Sequence, residues 1–345
     1  MANLKVTILH EAWEEGPPEP EPEPVKSPRG KKSTRRAKHP LYDREEIFQA
    51  LTKLGHDPSY HLLDGKNQSL VALSKCGADL VFNLTESYAG DDTMDKNIAA
   101  YLELLHFPYT GSGPQAHYLA QDKAIAKKIF DFYKIKTPDF ATSYKGLTDH
   151  SHDIHFPLIV KPVSEDGSIG IDTGAVVESV KELMERIHYI HEEFDSPALI
   201  EEYIEGREIY ASVLGNDTLE VLPLVELDLS RLPKGTPRIA TQDVKFDHET
   251  EAYKVTKSAP VEDLDEETTK KLQDTAIAAY RALKLRGYGR IDMRLNKEGE
   301  VYVIEANPNP WLASAAEFTM AAKKAGYSYT DMIDKIVGLA LPRSE

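Results

Sequence analysis

Cysteine is almost absent from this chain: Cys76 is the single thiol in 345 residues, so no disulfide can close within it. That fits a reducing compartment, and a cytoplasmic location is the expectation. Long apolar runs are missing as well. Met1 leads into a short strand-like run, Leu4 to Leu9, and then into Glu11, Glu14 and Glu15, so neither a secretory signal nor a membrane span is expected. Positive charge is scarce, with 41 Lys and Arg against 57 Asp and Glu and a net charge of −16. A general nucleic-acid binder needs a positive field to meet phosphates, which excludes that class. An enzyme that binds an anionic nucleotide must then gather its cations locally or recruit metal. Two nucleotide signatures are also lacking: no G-x-G-x-x-G follows a strand and no G-x-x-x-x-G-K-[ST] occurs, so neither dinucleotide nor P-loop chemistry is signalled.

The most informative stretch is 286–312. Two β-rich runs, 287–295 and 300–306, flank Asn296-Lys-Glu-Gly299, a polar Gly-containing connection suited to a hairpin. Arg290, Asp292 and Arg294 alternate with Ile291, Met293 and Leu295 and share one face. Strict alternation puts Val301, Val303 and Glu305 on one face of the second run, continued by Asn307. If the strands pair, Asp292, Glu305 and Asn307 converge as hard oxygen ligands beside the Arg290 guanidinium. Such a set suits Mg²⁺, which takes its remaining ligands from water and substrate phosphates. The pattern by itself fits a surface hairpin of solvated charges equally well.

The chain, 41% hydrophobic, is long enough for two or three domains. Leu4–His10 reads as a first strand. Residues 16–39 combine a Pro/Glu alternation with seven Lys and Arg between Lys26 and Lys38, too few apolar groups to offset their own ordering entropy. This predicts a disordered insertion, either an inert loop or a cationic lid or docking arm. From Tyr42 to Pro114 strands and helices alternate, which predicts a small parallel sheet. A helix over 120–133 follows, then a strand ending at Lys161 and the loop 164–170, whose two glycines and serines would let backbone N–H groups approach a phosphate; a simple hairpin is the plain alternative. Further on come a helix at 179–194, strands at 198–204 and 209–214, a polar loop at about 230–258, and helices at 265–284 and 327–340.

Taken together, Gln-Asp-Lys123, Ile-Val-Lys161-Pro, Glu201-Glu202-Tyr203-Ile204, Asp243-Val-Lys245-Phe246 and the 290–307 hairpin resemble the ATP-grasp superfamily, and within it the D-alanine–D-alanine ligases. The likeness spans nearly the whole chain apart from 16–39. It implies an α/β (α+β) ATP-grasp fold of three domains: an N-terminal Rossmann-like domain over 1–117, a central subdomain over 118–203 and a C-terminal subdomain with the metal site over 204–345. By the same resemblance Lys123 and Lys161 hold the ATP phosphates, and the loop carrying Ser168 closes over them. The backbone of Glu201, Glu202, Tyr203 and Ile204 reads adenine, and Glu208 takes the ribose hydroxyls. Lys245 stands near the γ-phosphate, and Arg290 stabilises the transferred phosphate and the tetrahedral intermediate. Asp292, Glu305 and Asn307 are then ligands for two Mg²⁺ ions, with Mn²⁺ an alternative. The implied partners are small-molecule carboxylate and amine substrates, with a homodimer as the assembly to consider.

Departures from the family pattern fall on the substrate side. Gly167 stands where the ligases have a serine, and Phe246 replaces a tyrosine. The serine that binds the second substrate's carboxylate falls at Ala316, and Trp311 replaces a glycine. Glu11 is a candidate for the acid that meets the first substrate's amino group. The sequence therefore predicts an ATP-dependent, ADP-forming carboxylate–amine ligase acting through an acylphosphate on a substrate other than D-alanine. A true D-alanine–D-alanine ligase, or a non-catalytic nucleotide-binding scaffold on the same fold, is the alternative. Carboxylation through carboxyphosphate is a third, without a recognisable biotin-accepting segment.

Overall fold

The computed structural model describes residues 3–11, 43–145, 147–150, 153–165, 168–241, 244 and 250–341. The 16–39 insertion, Gly167, Asp243, Lys245 and Phe246 lie outside them.

Three sheets organise the described residues. The first joins β1 (Lys5–Glu11), β2 (Asp57–Leu63) and β3 (Leu80–Asn83) in the order β2-β1-β3, all parallel. Parallel neighbours need crossovers, supplied here by α1 (Asp43–Lys53) and α2 (Asn67–Leu73), with α3 (Asp95–Leu104) following β3. One face buries Leu9, Val81, Ile98 and Leu102. The other buries Val6, Ile8 and Phe82 with Ile47 and Leu51 of α1, in one core with residues near the C-terminus of the chain.

After α4 (Pro114–Gln121) and α5 (Lys123–Phe132) comes an antiparallel sheet in the order β5-β4-β8-β6-β7, from β4 (Phe140–Tyr144), β5 (Leu147–His150), β6 (Leu158–Pro162), β7 (Val176–Val177) and β8 (Ala198–Glu202). Its helix α6 (Val180–Glu193) starts at Ser179, whose hydroxyl accepts from Glu182 N–H, and Ile187 and Ile190 pack on Val160 and Ile200.

The third sheet runs β12-β11-β9-β13-β14, with β10 also paired to β9. Its strands are β9 (Arg207–Gly215), β10 (Leu219–Val221), β11 (Val225–Asp228), β12 (Lys257–Pro260), β13 (Tyr288–Leu295) and β14 (Val301–Asn307), and α7 (Glu251–Val255) precedes β12. One face buries Ile209, Ala211, Ile291, Met293 and Val303 under α8 (Glu266–Ala282), α4 and α5. The opposite face shares the first core with α9 (Glu317–Lys324) and α10 (Tyr329–Ala340), the latter begun by a Ser328/Asp331 capping box. No helix among the described residues is long and apolar enough to cross a membrane.

The hairpin expected at Asn296–Gly299 forms, with Gly299 at φ +75° and Asn296 N–H donating to the Glu300 carbonyl at 3.0 Å. The strict alternation expected along the second strand does not. The register steps from Asp292↔Glu305 to Met293↔Val303, so Ile304 forms a bulge. Val301, Val303 and Ala306 therefore enter the core beneath α8, while Ile304 and Glu305 line the opposite side. A bulge inserts one residue and reverses the phase beyond it, which a two-residue period cannot anticipate.

Glu300, next to that hairpin, accepts from Lys136 at 2.8 Å and from Lys271 of α8 at 3.0 Å. The hydrogen bonds from these two ammonium groups hold its carboxyl down to about 2. A depressed folded-state value stabilises the fold above the unfolded value of about 4.3 and loses that contribution as pH falls toward 2. Glu300→Gln should lower Tm slightly at pH 7, and the gap to wild type should close as pH drops from about 4.3 toward 2. Thermal melts across that range check this, and a gap independent of pH would assign the effect to something other than the carboxylate charge.

Candidate active site

The third sheet and the antiparallel β4–β8 sheet face each other across a cleft of about 660 Å³, counted to its open mouth. Its lining includes Lys161, Ser168, Glu201, Glu202, Tyr203, Ile204, Glu208, Asp292 and Glu305. Nine of the candidate residues thus share one cavity, although they come from six separate stretches of sequence. Arg290, Lys123 and Asn307 are not part of this lining, and Lys245 is outside the described residues.

On one wall, α5 starts where the Asp122 carboxylate accepts from Ile125 N–H at 2.9 Å. That fixes Lys123 at the first helical position. Its ammonium is buried, donates to the Glu165 carbonyl at 2.6 Å and lies 3.1 Å from Glu305 Oε1. One turn on, Lys127 is fully buried and pairs with Glu201, whose other carboxylate oxygen lies 2.5 Å from Lys161 Nζ. Burial alone would push the Glu201 carboxyl up, but the two lysines outweigh it and hold it below its ordinary value. Burial pulls the Lys127 ammonium down to about 8 against the attraction of Glu201. The expectation that Glu201 belongs to an adenine-reading segment gains a second part here, since its side chain is the counter-ion for two lysines.

At the end of β8, Glu202 N–H donates to the Asp139 carbonyl and Tyr203 N–H to the Pro157 carbonyl, both at 2.9 Å. Those amides are committed to the fold. The Tyr203 hydroxyl accepts from Arg238 N–H at 3.0 Å and joins the segment to the opposite wall.

On that wall Glu208 is held twice, accepting from the Tyr210 hydroxyl at 2.8 Å and from Arg294 Nη2 at 2.7 Å. Arg294 also donates to the carbonyls of Gly206 and Arg238, at 3.1 and 2.6 Å. Gly206 is required by this closeness, since a Cβ there would sit 2.2 Å from the Leu295 carbonyl oxygen. Arg290 binds Asp292 through two hydrogen bonds, 2.7 and 2.9 Å, stacks 4.7 Å from the centre of the Tyr210 ring and lies 3.5 Å from Glu317. Burial opposes its charge, but Asp292 and Glu317 more than compensate and raise its pKa.

Asp292 and Glu305 are direct cross-strand partners, and Arg290 faces Asn307 in the same ladder. The Asn307 amide nitrogen is buried without a hydrogen-bond partner. Among the described residues no group of three or more His, Cys, Asp or Glu side chains gathers as a metal site; the candidate set holds two carboxylates and an amide. Those are hard oxygen donors that fit Mg²⁺ when water and phosphate complete the shell.

A family model described as the D-ala D-ala ligase C-terminus matches residues 121–338. The chain belongs to the D-alanine–D-alanine ligase family. A D-alanine–D-alanine ligase of Bordetella petrii is 33% identical over 297 residues, 85% of each chain. An uncharacterised protein of Sinorhizobium fredii is 32% identical over 304 residues, 86% of each. In three dimensions the chain is similar to the ATP complex of a D-alanine–D-alanine ligase from Bacillus anthracis, with a TM-score of 0.72 and 23% identity over 99% of this chain and 97% of that one. The VanG D-Ala:D-Ser ligase of Enterococcus faecalis gives a TM-score of 0.70 at 22% identity, over 99% and 100%. These likenesses establish the ATP-grasp fold, and family membership makes the chain an ATP-dependent, ADP-forming ligase.

Lys127 and Arg294 were not among the candidates read from sequence. Lys127 lies four residues after Lys123 within the buried stripe of α5 that holds Ala124, Ala126 and Phe130, and a lysine inside an apolar stripe is the signal that could have found it. Arg294 shares the face of Arg290 and Asp292. Removing one partner of a buried pair strands the other charge at a cost of about 3–5 kcal/mol. Arg294→Met should destabilise the protein by about that much, and adding Glu208→Gln should recover most of the loss. Chemical denaturation of the single and double variants measures it; a double variant no more stable than Arg294→Met would show that the carbonyl contacts matter more than the ion pair.

Proposed function

We propose that the protein joins a small-molecule carboxylate to an amine in this cleft, through an acylphosphate, and that neither partner is D-alanine. The observation that carries the reaction is the gathering of Lys161, Glu208, Asp292 and Glu305 around one cavity, with Arg290 locked to Asp292 and Lys123 to Glu305. A cavity that holds Lys161 and Arg294 beside a hard-oxygen set suits a nucleoside triphosphate with its metal. Asp292, Glu305 and Asn307 would hold Mg²⁺, which, when bound, neutralises charge on the phosphate oxygens.

In the first step a carboxylate oxygen of the substrate attacks the γ-phosphorus. The bond from that phosphorus to the bridging oxygen breaks, and ADP leaves with the electron pair. In the second step the amine attacks the acyl carbon, inorganic phosphate departs and the nitrogen gives up a proton. Lys123, Lys161 and Arg290 contribute charge at fixed positions rather than covalent chemistry, which suits a phosphoryl transfer. Arg290 is held rigidly by Asp292 and the Tyr210 ring, so little reorganisation accompanies its work. Lys245 of the segment beyond Thr241 is proposed to add a further cation near the γ-phosphate.

The substrate reading rests on the residues around the loop 308–316. Ala316 is buried and caps α9 without a side-chain hydrogen bond, so no hydroxyl is available there for a carboxylate. Asn309 is occupied, accepting from the Tyr288 hydroxyl and donating to the Thr85 carbonyl, and does not replace the lost group. Trp311 is 52% exposed and offers an aromatic face for a bulkier or flatter partner. Against this, several relatives at about the same identity are named D-alanine–D-alanine ligases, and that is the competing reading.

Two measurements test these statements. Glu305→Ala should abolish Mg²⁺-dependent ADP production while the protein stays folded, since Glu305 is partly exposed on the cleft wall; undiminished turnover would remove 290–307 from the site. Incubation with ATP, Mg²⁺ and D-alanine should yield phosphate and dipeptide far below the ~10 s⁻¹ typical of enzymes, while a panel of other amino acids and dipeptides should include a pair that supports turnover. Dipeptide formed from D-alanine at that typical rate would establish an ordinary D-alanine–D-alanine ligase.

A further inference from the structure

Three charged side chains meet beneath the cleft on three different elements: Lys127 of α5, Lys161 of β6 and Glu201 of β8. They are 1%, 3% and 1% exposed. Each lysine takes one carboxylate oxygen of Glu201. Only Lys161 and Glu201 line the cavity; Lys127 lies behind them. Lys127 also donates to Thr137 Oγ1 at 2.6 Å, and that hydroxyl donates to the Val303 carbonyl at 2.8 Å, two residues before Glu305. Its ammonium is thus fixed from both walls, by Glu201 on one and through Thr137 to β14 on the other.

A lysine that is to meet a phosphate cannot stay pinned at 2.5 Å to a carboxylate without sharing its charge. If Lys161 turned to an anionic ligand with no second cation behind Glu201, a carboxylate would be left buried and unpaired, which is strongly unfavourable. We infer that Lys127 is a positioning residue for nucleotide binding: it remains as the standing counter-ion of Glu201, so that Lys161 can transfer its charge to the phosphates. The inference rests on the reading that this cleft takes a nucleoside triphosphate. Lys127 touches no ligand; it sets the cost of releasing Lys161.

The sign pattern across variants is specific. Lys127→Met leaves Glu201 and Lys161 as a closed pair, and the dissociation constant for Mg²⁺–ATP should rise tenfold or more. Glu201→Gln removes the anion that retains Lys161, and with it the need for Lys127, so it serves as the reference for the double variant. The double variant Lys127→Met/Glu201→Gln has neither the anion nor its counter-ion, and should bind within about threefold of Glu201→Gln, against the tenfold loss that Lys127→Met causes alone. A purely structural role for Lys127 would weaken binding in all three in step with stability. Titration calorimetry with Mg²⁺–ATP, read beside the melting temperature of each protein, separates the two. Wild type that fails to bind ATP would overturn the nucleotide reading itself. Wild type that binds, with a folded Lys127→Met protein binding equally well, would overturn the role of Lys127 alone. Should Lys127→Met not fold, the double variant decides: folded and binding within about threefold of Glu201→Gln supports the inference, and folded and binding tenfold or more weaker than Glu201→Gln overturns it.

Discussion

A charge taken out of water has to be met by an opposite charge, and the cleft is arranged around that constraint. Lys127 and Lys161 share Glu201, Lys123 meets Glu305, Arg290 grips Asp292 and Arg294 holds Glu208. Arg290 and Asp292 are neighbours along β13 and Arg294 faces Glu208 across the β13–β9 ladder, whereas Lys123 ties α5 to Glu305 of β14 and Lys127 and Lys161 bring α5 and β6 to Glu201 of β8. Such pairs contribute modestly to stability, because desolvation offsets most of the attraction. What they provide is placement: cations held near the cavity, each facing an opposite charge.

The placement depends on backbone features as much as on side chains. The bulge at Ile304 turns Glu305 toward the cleft while Val303 stays in the core beneath α8. With regular pairing throughout, the hydrophobic and acidic residues of β14 would compete for one face, and one set would be misplaced. β13 carries Arg290, Asp292 and Arg294 between β9 and β14, in the interior of the sheet. Interior strands are held on both edges, which gives these side chains a rigid base.

The match to the family covers the loop 308–316 as well as the walls of the cleft, since both fall within residues 121–338, whereas the N-terminal sheet falls outside. The matched region spans the central and C-terminal sheets, where the charged pairs of the cleft lie. The loop 308–316 also reaches the N-terminal part of the chain: Glu46 of α1 accepts from Ser314 N–H at 2.7 Å, and Asn309 donates to the Thr85 carbonyl.

The hairpin, its turn at Asn296–Gly299, the shared face of Arg290, Asp292 and Arg294, and the parallel N-terminal sheet were legible in the sequence because each follows from local periodicity or turn chemistry. Lysines 123 and 161 were legible only through the family resemblance, since nothing in a short lysine-ending segment marks it as functional. The bulge at Ile304 was not legible, because one extra residue is favoured by the packing of β14 beneath α8 rather than by the residues of β14 themselves. Nor was Lys127 as a buried counter-ion. Its neighbours in sequence say helix, and only the approach of β8 and β6 brings Glu201 and Lys161 to it. Local sequence determined which residues share a face; tertiary packing decided which charges lose their water and must therefore find one another.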